Sequence, residues 1–158
     1  MLDHDWIVLD ILTLEPRRRD NRDVFIQNGA ALVALLREWG VDARLGPVPG
    51  EYCPGDYSIN ARGQVKLIGT AQRVSRGARL FSASLPLRVS DVAADLLAQV
   101  NAHLQLDWDP KTLGSLAPEV ELPDTAVEDA LRVRFAGSVV EERTVDDILH
   151  GSGLDAKK

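Results

Sequence analysis

Three strand-like segments, DYSIN, QVKLIGTAQRVS and RLFSASLPLR, follow one another between residues 56 and 88. Only Ala61-Arg62-Gly63 and Arg76-Gly77 stand out as breaks between them. Short connections that contain glycine join neighbouring antiparallel strands, because glycine supplies the left-handed backbone such turns need. The chain is therefore expected to build a three-stranded antiparallel meander, and whatever else it folds must pack on that sheet.

The flanking segments supply the rest of an α+β domain. DWIVLDILTL, residues 5–14, is a nearly continuous β-branched apolar run and reads as a strand buried on both faces. After the polar turn EPRRRDNRD, Asp20 or Asn21 can cap a helix whose apolar positions Phe25, Leu32, Leu36 and Trp39 recur at helical spacing. Gly40 stops that helix, VDARLG forms a short strand, and PVPGEYCPG forms a loop. A second helix starts at the N-cap Ser90, with Val92, Leu96, Val100 and Leu104 stacked on one face and Ala93 and Leu97 widening the stripe. TAVEDALRVRFAGSV, capped by Asp124 or Thr125, and TVDDILHG, capped by Thr144, predict two more helices before a frayed end. The expected architecture is a mixed, largely antiparallel sheet packed by helices, in a single domain over residues 1–158.

Composition narrows the function classes. A formal net charge of −6 offers no general attraction to phosphate backbones or anionic lipid, so no nucleic-acid partner and no membrane partner is expected. No apolar run approaches the length of a membrane-spanning helix. One cysteine cannot form an internal disulfide, and the start does not look like a signal peptide, so the expected home is the cytoplasm. His4, His103 and His150 are scattered and no second cysteine exists, so no metal site is expected. His103 suits the C-terminal end of its helix as a cation against the dipole.

The chemistry-bearing candidates gather in EYCPGDYSINARGQVKLIGTAQRV, residues 51–74. Cys53 is either a small buried hydrophobe or a nucleophile; its place on a Pro-Gly loop, joined by a hairpin to the cation Lys66, favours thiolate chemistry. Lys66, between Val65 and Leu67, either reaches solvent from a wet sheet face or is partly desolvated near a ligand. Strict alternation would put Gln64, Lys66 and Ile68 on one face and Val65, Leu67 and Gly69 on the other. Gly69 within a strand suggests close approach of another group, including a ligand. Arg73, Arg76 and Arg79 gather near one hairpin tip and are either solvated or aimed at a shared anion, while Arg17 to Arg19 read as a solvated turn.

The run Lys66-Leu67-Ile68-Gly69-Thr70-Ala71-Gln72-Arg73, with CPGDYSIN before it, resembles the lipoate-protein ligase and octanoyltransferase family of the lipoyl/biotinyl ligase superfamily. In that family a strand lysine precedes a small-residue run, and a cysteine-dependent branch places its cysteine on the loop before the preceding hairpin strand. The resemblance implies a biotinyl/lipoyl ligase-like catalytic domain in which Cys53 carries an octanoyl or lipoyl group as a thioester and Lys66 contacts the acyl carbonyl. It implies substrate contacts at Asp56, Gly69, Thr70, Ala71, Gln72 and Arg73. The acceptor would be the lysine of a lipoyl domain, with acyl carrier protein as a further partner and no tightly bound cofactor. ATP enters only if the chain works as a ligase through an acyl-adenylate; a third reading is a half-domain that binds acyl groups or lipoyl domains without turnover.

The family's Arg-x-x-Gly-Gly-type motif does not occur before Asp5, and Phe81-Ser82-Ala83 stands where family ligases carry a His-Gly pair. The first departure implies that the sequence lacks the N-terminal part of the catalytic domain, as a truncated copy, as a split enzyme completed by a complementing N-terminal half or a homo-oligomer, or through a mis-assigned start.

Overall fold

The computed structural model describes residues 5–14, 20–75 and 77–137. Its organising feature is the predicted meander. Arg62 and Gly63 both take left-handed backbone, at φ 60° and 72°, and Gln64 N–H closes the turn on the Ala61 carbonyl at 3.0 Å. This turn joins β3 (Ile59–Ala61) to β4 (Val65–Ser75), and Gly77, at φ 85°, precedes β5 (Ala78–Pro86). With β1 (Trp6–Leu14) and β2 (Ala43–Leu45) they form a five-stranded sheet in the order β1-β5-β4-β3-β2. Every strand pair among the described residues is antiparallel, and the one parallel contact is an isolated bridge between Lys66 and Leu113.

Helices cover one face of this sheet. In α1 (Asn21–Glu38) the Asp20 side chain accepts the Arg22 N–H at 2.9 Å, and Gly40, at φ 87°, lets the chain turn off its end. Leu32, Leu35 and Leu36 of α1 and Val127 and Leu131 of α3 (Asp124–Arg134) share one core with Leu67, Ile68, Phe81, Ala83 and Leu85 of the sheet. Full burial of each such aliphatic side chain stabilises by about 1.5–3 kcal/mol.

Three expectations are corrected. β1 is an edge strand, not a strand covered on both faces: Ile7, Leu9 and Ile11 pack on the core, while Val8, Leu12 and Leu14 are 44%, 70% and 79% exposed. An apolar run states that a face prefers cover; only the tertiary arrangement supplies it. The same holds for α2 (Asp91–His103), whose cap at Ser90 is as predicted but whose stripe Val92, Leu96, Val100 and Leu104 is exposed, with Ala93 and Asn101 buried instead. For α3 the cap residue is Pro123, without a side-chain cap bond, because Asp124 is the first helical residue and its carboxylate is engaged by Arg88 at 2.8 and 2.9 Å. The predicted TVDDILHG helix, Thr144, His4, His150, Arg17 to Arg19 and Arg76 lie outside the described residues. No helix among the described residues is long and apolar enough to cross a membrane.

Candidate functional site

A bulge at the start of β4 builds the site. Ile59 pairs with Ile68 but Asn60 pairs with Lys66, so Leu67 has no residue opposite it. The extra residue lets Leu67 and Ile68 both enter the core and breaks the strict alternation expected there. It also turns the Lys66 side chain along Gly69, where an added Cβ would lie 3.6 Å from Lys66 Cε. Beyond the bulge the alternation resumes. Thr70 and Gln72 pair with the buried Ala83 and Phe81 on the helix side, whereas Gly69, Ala71 and Arg73 pair with Ser84, Ser82 and Leu80 on the face that the core helices do not cover.

Lys66 is only 3% exposed, and the Gly50–Gly55 loop folds over its ammonium. Nζ donates to the carbonyl oxygens of Tyr52 at 3.0 Å and Cys53 at 2.9 Å, stands 3.4 Å from Glu51 Oε2, and lies 4.7 Å from the centre of the Tyr52 ring. An ammonium has three donors; two are hydrogen-bonded to these carbonyls, and Glu51 Oε2 faces the ammonium as an ion-pair partner without a hydrogen bond. Glu51, 1% exposed, fixes the loop in turn: its Oε1 accepts the Gly55 N–H at 3.1 Å and the Ser58 hydroxyl at 3.0 Å. Burial, and then the neighbouring Glu51 charge, push the Tyr52 hydroxyl up to about 12. Gly50 and Cys53 hold the loop's curvature with φ 75° and 44°, and Cys53 is exposed.

A second loop braces this arrangement. Asp109 N–H donates to the Gly50 carbonyl at 2.8 Å, ahead of the 3-10 turn Pro110–Thr112. Gly114 then packs so closely on β4 that an added Cβ would clash with Val65 Cγ1 and come within 2.9 Å of the Lys66 carbonyl oxygen.

Of the residues singled out in the sequence, Cys53 and Lys66 meet through the Cys53 backbone, and Gly69 and Ala71 continue along the Lys66 face, with Arg73 further on. Asp56 is exposed on the same loop. Thr70 and Gln72 lie on the other face, where Thr70 Oγ1 donates to the Tyr57 carbonyl at 2.9 Å and Gln72 Nε2 donates to the Asn21 carbonyl at 2.8 Å. Arg79 is not at a solvated tip: it is 1% exposed and donates to Gln72 Oε1 at 2.7 Å and Asn21 Oδ1 at 2.9 Å, tying the sheet to the start of α1. Sequence reasoning missed Glu51. The signal was the lone Lys66 in an apolar run, since a buried cation requires an anion and the nearest acid upstream of the cysteine is Glu51. Among the described residues no cluster of three metal-ligating side chains occurs.

In fold this chain matches lipoate-protein ligase structures, and it spans about half the length of each. It is similar over 94% of its length to lipoate-protein ligase A bound with ATP, at 21% identity and a TM-score of 0.65, covering 53% of that chain. It is equally similar, with a TM-score of 0.64 and 21% identity, to the Thermoplasma acidophilum protein Ta0514 with bound lipoic acid, covering 53% of it. A bi-partite lipoate-protein ligase from the same organism, described along with its E2 lipoyl domain, matches at 18% identity and a TM-score of 0.62 over 94% of this chain and 52% of that one. No protein-family model and no curated protein matches.

Proposed function

We propose that the chain forms the acyl-handling part of a lipoyl or octanoyl transferase that modifies the lysine of a lipoyl domain. The observation that carries the reading is the 2.9 Å contact between Lys66 Nζ and the Cys53 carbonyl, which ties a buried cation to the backbone of an exposed thiol. In this reading the Cys53 thiolate attacks the thioester carbonyl of an acylated acyl carrier protein. The Sγ–C bond forms, the donor's C–S bond breaks, and the carrier's thiol leaves with the proton. Lys66 releases a loop carbonyl and donates to the oxyanion that develops. The ε-amine of the lipoyl-domain lysine then attacks the Cys53 thioester; the C–N bond forms, the Sγ–C bond breaks, and the proton lost by the amine restores the Cys53 thiol.

Gly69 and Ala71 leave room beside Lys66 for an extended acyl chain, and a reducing cytoplasm keeps Cys53 free. Asp56 and Arg73 are the exposed charged groups assigned to substrate contact, and Thr70 and Gln72 act from behind the strand. The E2 lipoyl domain named along with one of the similar ligases supports that class of acceptor. The chain spans about half the length of the solved proteins it matches.

Incubation with octanoylated acyl carrier protein tests the proposal by intact mass. One octanoyl group should appear on the chain, labile to hydroxylamine, absent in Cys53→Ser and diminished in Lys66→Ala. The second reading, an ATP-dependent ligase, is favoured by the ATP bound in a similar structure; it predicts acyl-adenylate formation that survives Cys53→Ser and fails in Lys66→Ala. Lipoyl-domain binding without either product would leave a binding module.

A further inference from the structure

The loop over Lys66 has a fixed base and a strained tip. At the base the Gly50 carbonyl accepts the Asp109 N–H at 2.8 Å, and Glu51 N–H donates to the Val48 carbonyl at 3.0 Å. Glu51 Oε1 accepts from the Gly55 N–H and the Ser58 hydroxyl, and Ser58 directly precedes β3, which the sheet holds on both sides. The tip is Tyr52 and Cys53. Cys53 takes φ 44°, a left-handed backbone that a residue with a Cβ adopts only at a cost. Lys66 Nζ spans the two parts. Two of its donors go to the tip carbonyls, and the third faces Glu51 Oε2, 3.4 Å away. That oxygen belongs to a fully buried side chain and has no hydrogen bond. Buried polar atoms normally have a partner, so an open acceptor beside an ammonium calls for a role.

We infer that Glu51 is the positioning residue of the acyl-transfer site: it holds the Lys66 ammonium in place while the strained tip moves and the acyl carbonyl takes over the donor that the Cys53 carbonyl releases. The exchange keeps all three donors in use. Tyr52 retains its hydrogen bond, the acyl oxygen replaces Cys53, and Glu51 Oε2 closes on the third donor as a charge-assisted hydrogen bond. Glu51 stays behind when the tip moves, because its Oε1 is tied to Gly55 and Ser58 and not to Tyr52 or Cys53. The carbonyl released and the thiol belong to the same residue, so one backbone change at Cys53 frees the donor and moves the nucleophile. Without Glu51 the ammonium, on a flexible four-carbon stem, loses its fixed anchor at the moment it must face the oxyanion. The inference deepens the transferase reading, and rests on it, by naming the residue that aims Lys66.

The test follows octanoyl transfer from octanoylated acyl carrier protein to the full chain by intact mass, across donor concentration. Glu51→Gln keeps an acceptor for Gly55 and Ser58 and removes the charge that faces Lys66. It should lower the saturating rate by roughly 10- to 100-fold and leave KM within about twofold. Ser58→Ala keeps that charge and loosens only Oε1; it should lower the saturating rate by about threefold, and it alone decides if circular dichroism shows Glu51→Gln unfolded. Alkylation of Cys53 by iodoacetamide is the control. That reaction displaces iodide at a saturated carbon and develops no oxyanion, so the variants should alkylate within about threefold of the parent. A saturating rate equal to the parent's, a loss confined to KM, or alkylation that falls in step with acylation overturns the inference and leaves the transferase reading standing. No octanoyl group on the parent chain would overturn that reading, and the role of Glu51 with it.

Discussion

Replacing Lys66 by methionine keeps most of the apolar stem of the side chain and removes the ammonium, with its charge and its donors. In the folded protein this leaves the Glu51 carboxylate, 1% exposed, without the cation now 3.4 Å away. It also deprives the Tyr52 and Cys53 carbonyls of a donor. Breaking a buried pair from one side costs about 3–5 kcal/mol, because the remaining charge is stranded in low dielectric. Glu51→Gln should cost less, about 1–3 kcal/mol, since the amide oxygen still accepts from Gly55 and Ser58 and Lys66 retains its two carbonyls. The double variant strands no charge, so its cost should fall below the sum of the singles by about 2 kcal/mol. Urea unfolding followed by tryptophan fluorescence measures all three. At about 2–4 °C per kcal/mol, Lys66→Met alone should lower Tm by roughly 6–20 °C. Additive single costs, or a Lys66→Met cost below about 1 kcal/mol, would refute the view that loop and strand are held by this charge pair.

Other consequences are equally direct. With the Tyr52 hydroxyl pushed up to about 12, the stability from keeping it neutral is fully present below about pH 10 and is lost as pH rises toward 12, at about 1.4 kcal/mol per unit. Urea titrations across that window should show the slope in the parent chain and its absence in Tyr52→Phe. Gly114→Ala should destabilise by about 1–3 kcal/mol, read by the same titration, because its Cβ meets Val65 and the Lys66 backbone. On α2, Leu96→Ser should change stability by no more than about 0.5 kcal/mol, while Leu36→Ala in the core should cost about 2–5 kcal/mol.

The meander, the Asp20 and Ser90 caps and the Gly40 stop were legible because each rests on local chemistry: a left-handed turn residue or a side-chain oxygen beside free N–H groups. The burial of β1 and α2 was not, because a stripe of apolar residues records a demand for cover without identifying what meets it. At the site, the pairing of Cys53 with Lys66 could be anticipated from a hairpin that brings a loop back over a strand. The orientation of Lys66 could not: the bulge at Leu67 shifts the alternation by one residue, and nothing in VKLIG distinguishes a bulged strand from a regular one. Glu51 was overlooked because its role depends on Lys66 being buried, a tertiary fact.

The central claim is that Cys53 and Lys66 form one acyl-transfer site. Intact-mass measurement of the chain after exposure to octanoylated acyl carrier protein tests it most directly. The account predicts a single hydroxylamine-labile octanoyl group that maps to Cys53, weakened in Lys66→Ala. An octanoyl group that persists in Cys53→Ser, or no acylation of the parent chain, would contradict it.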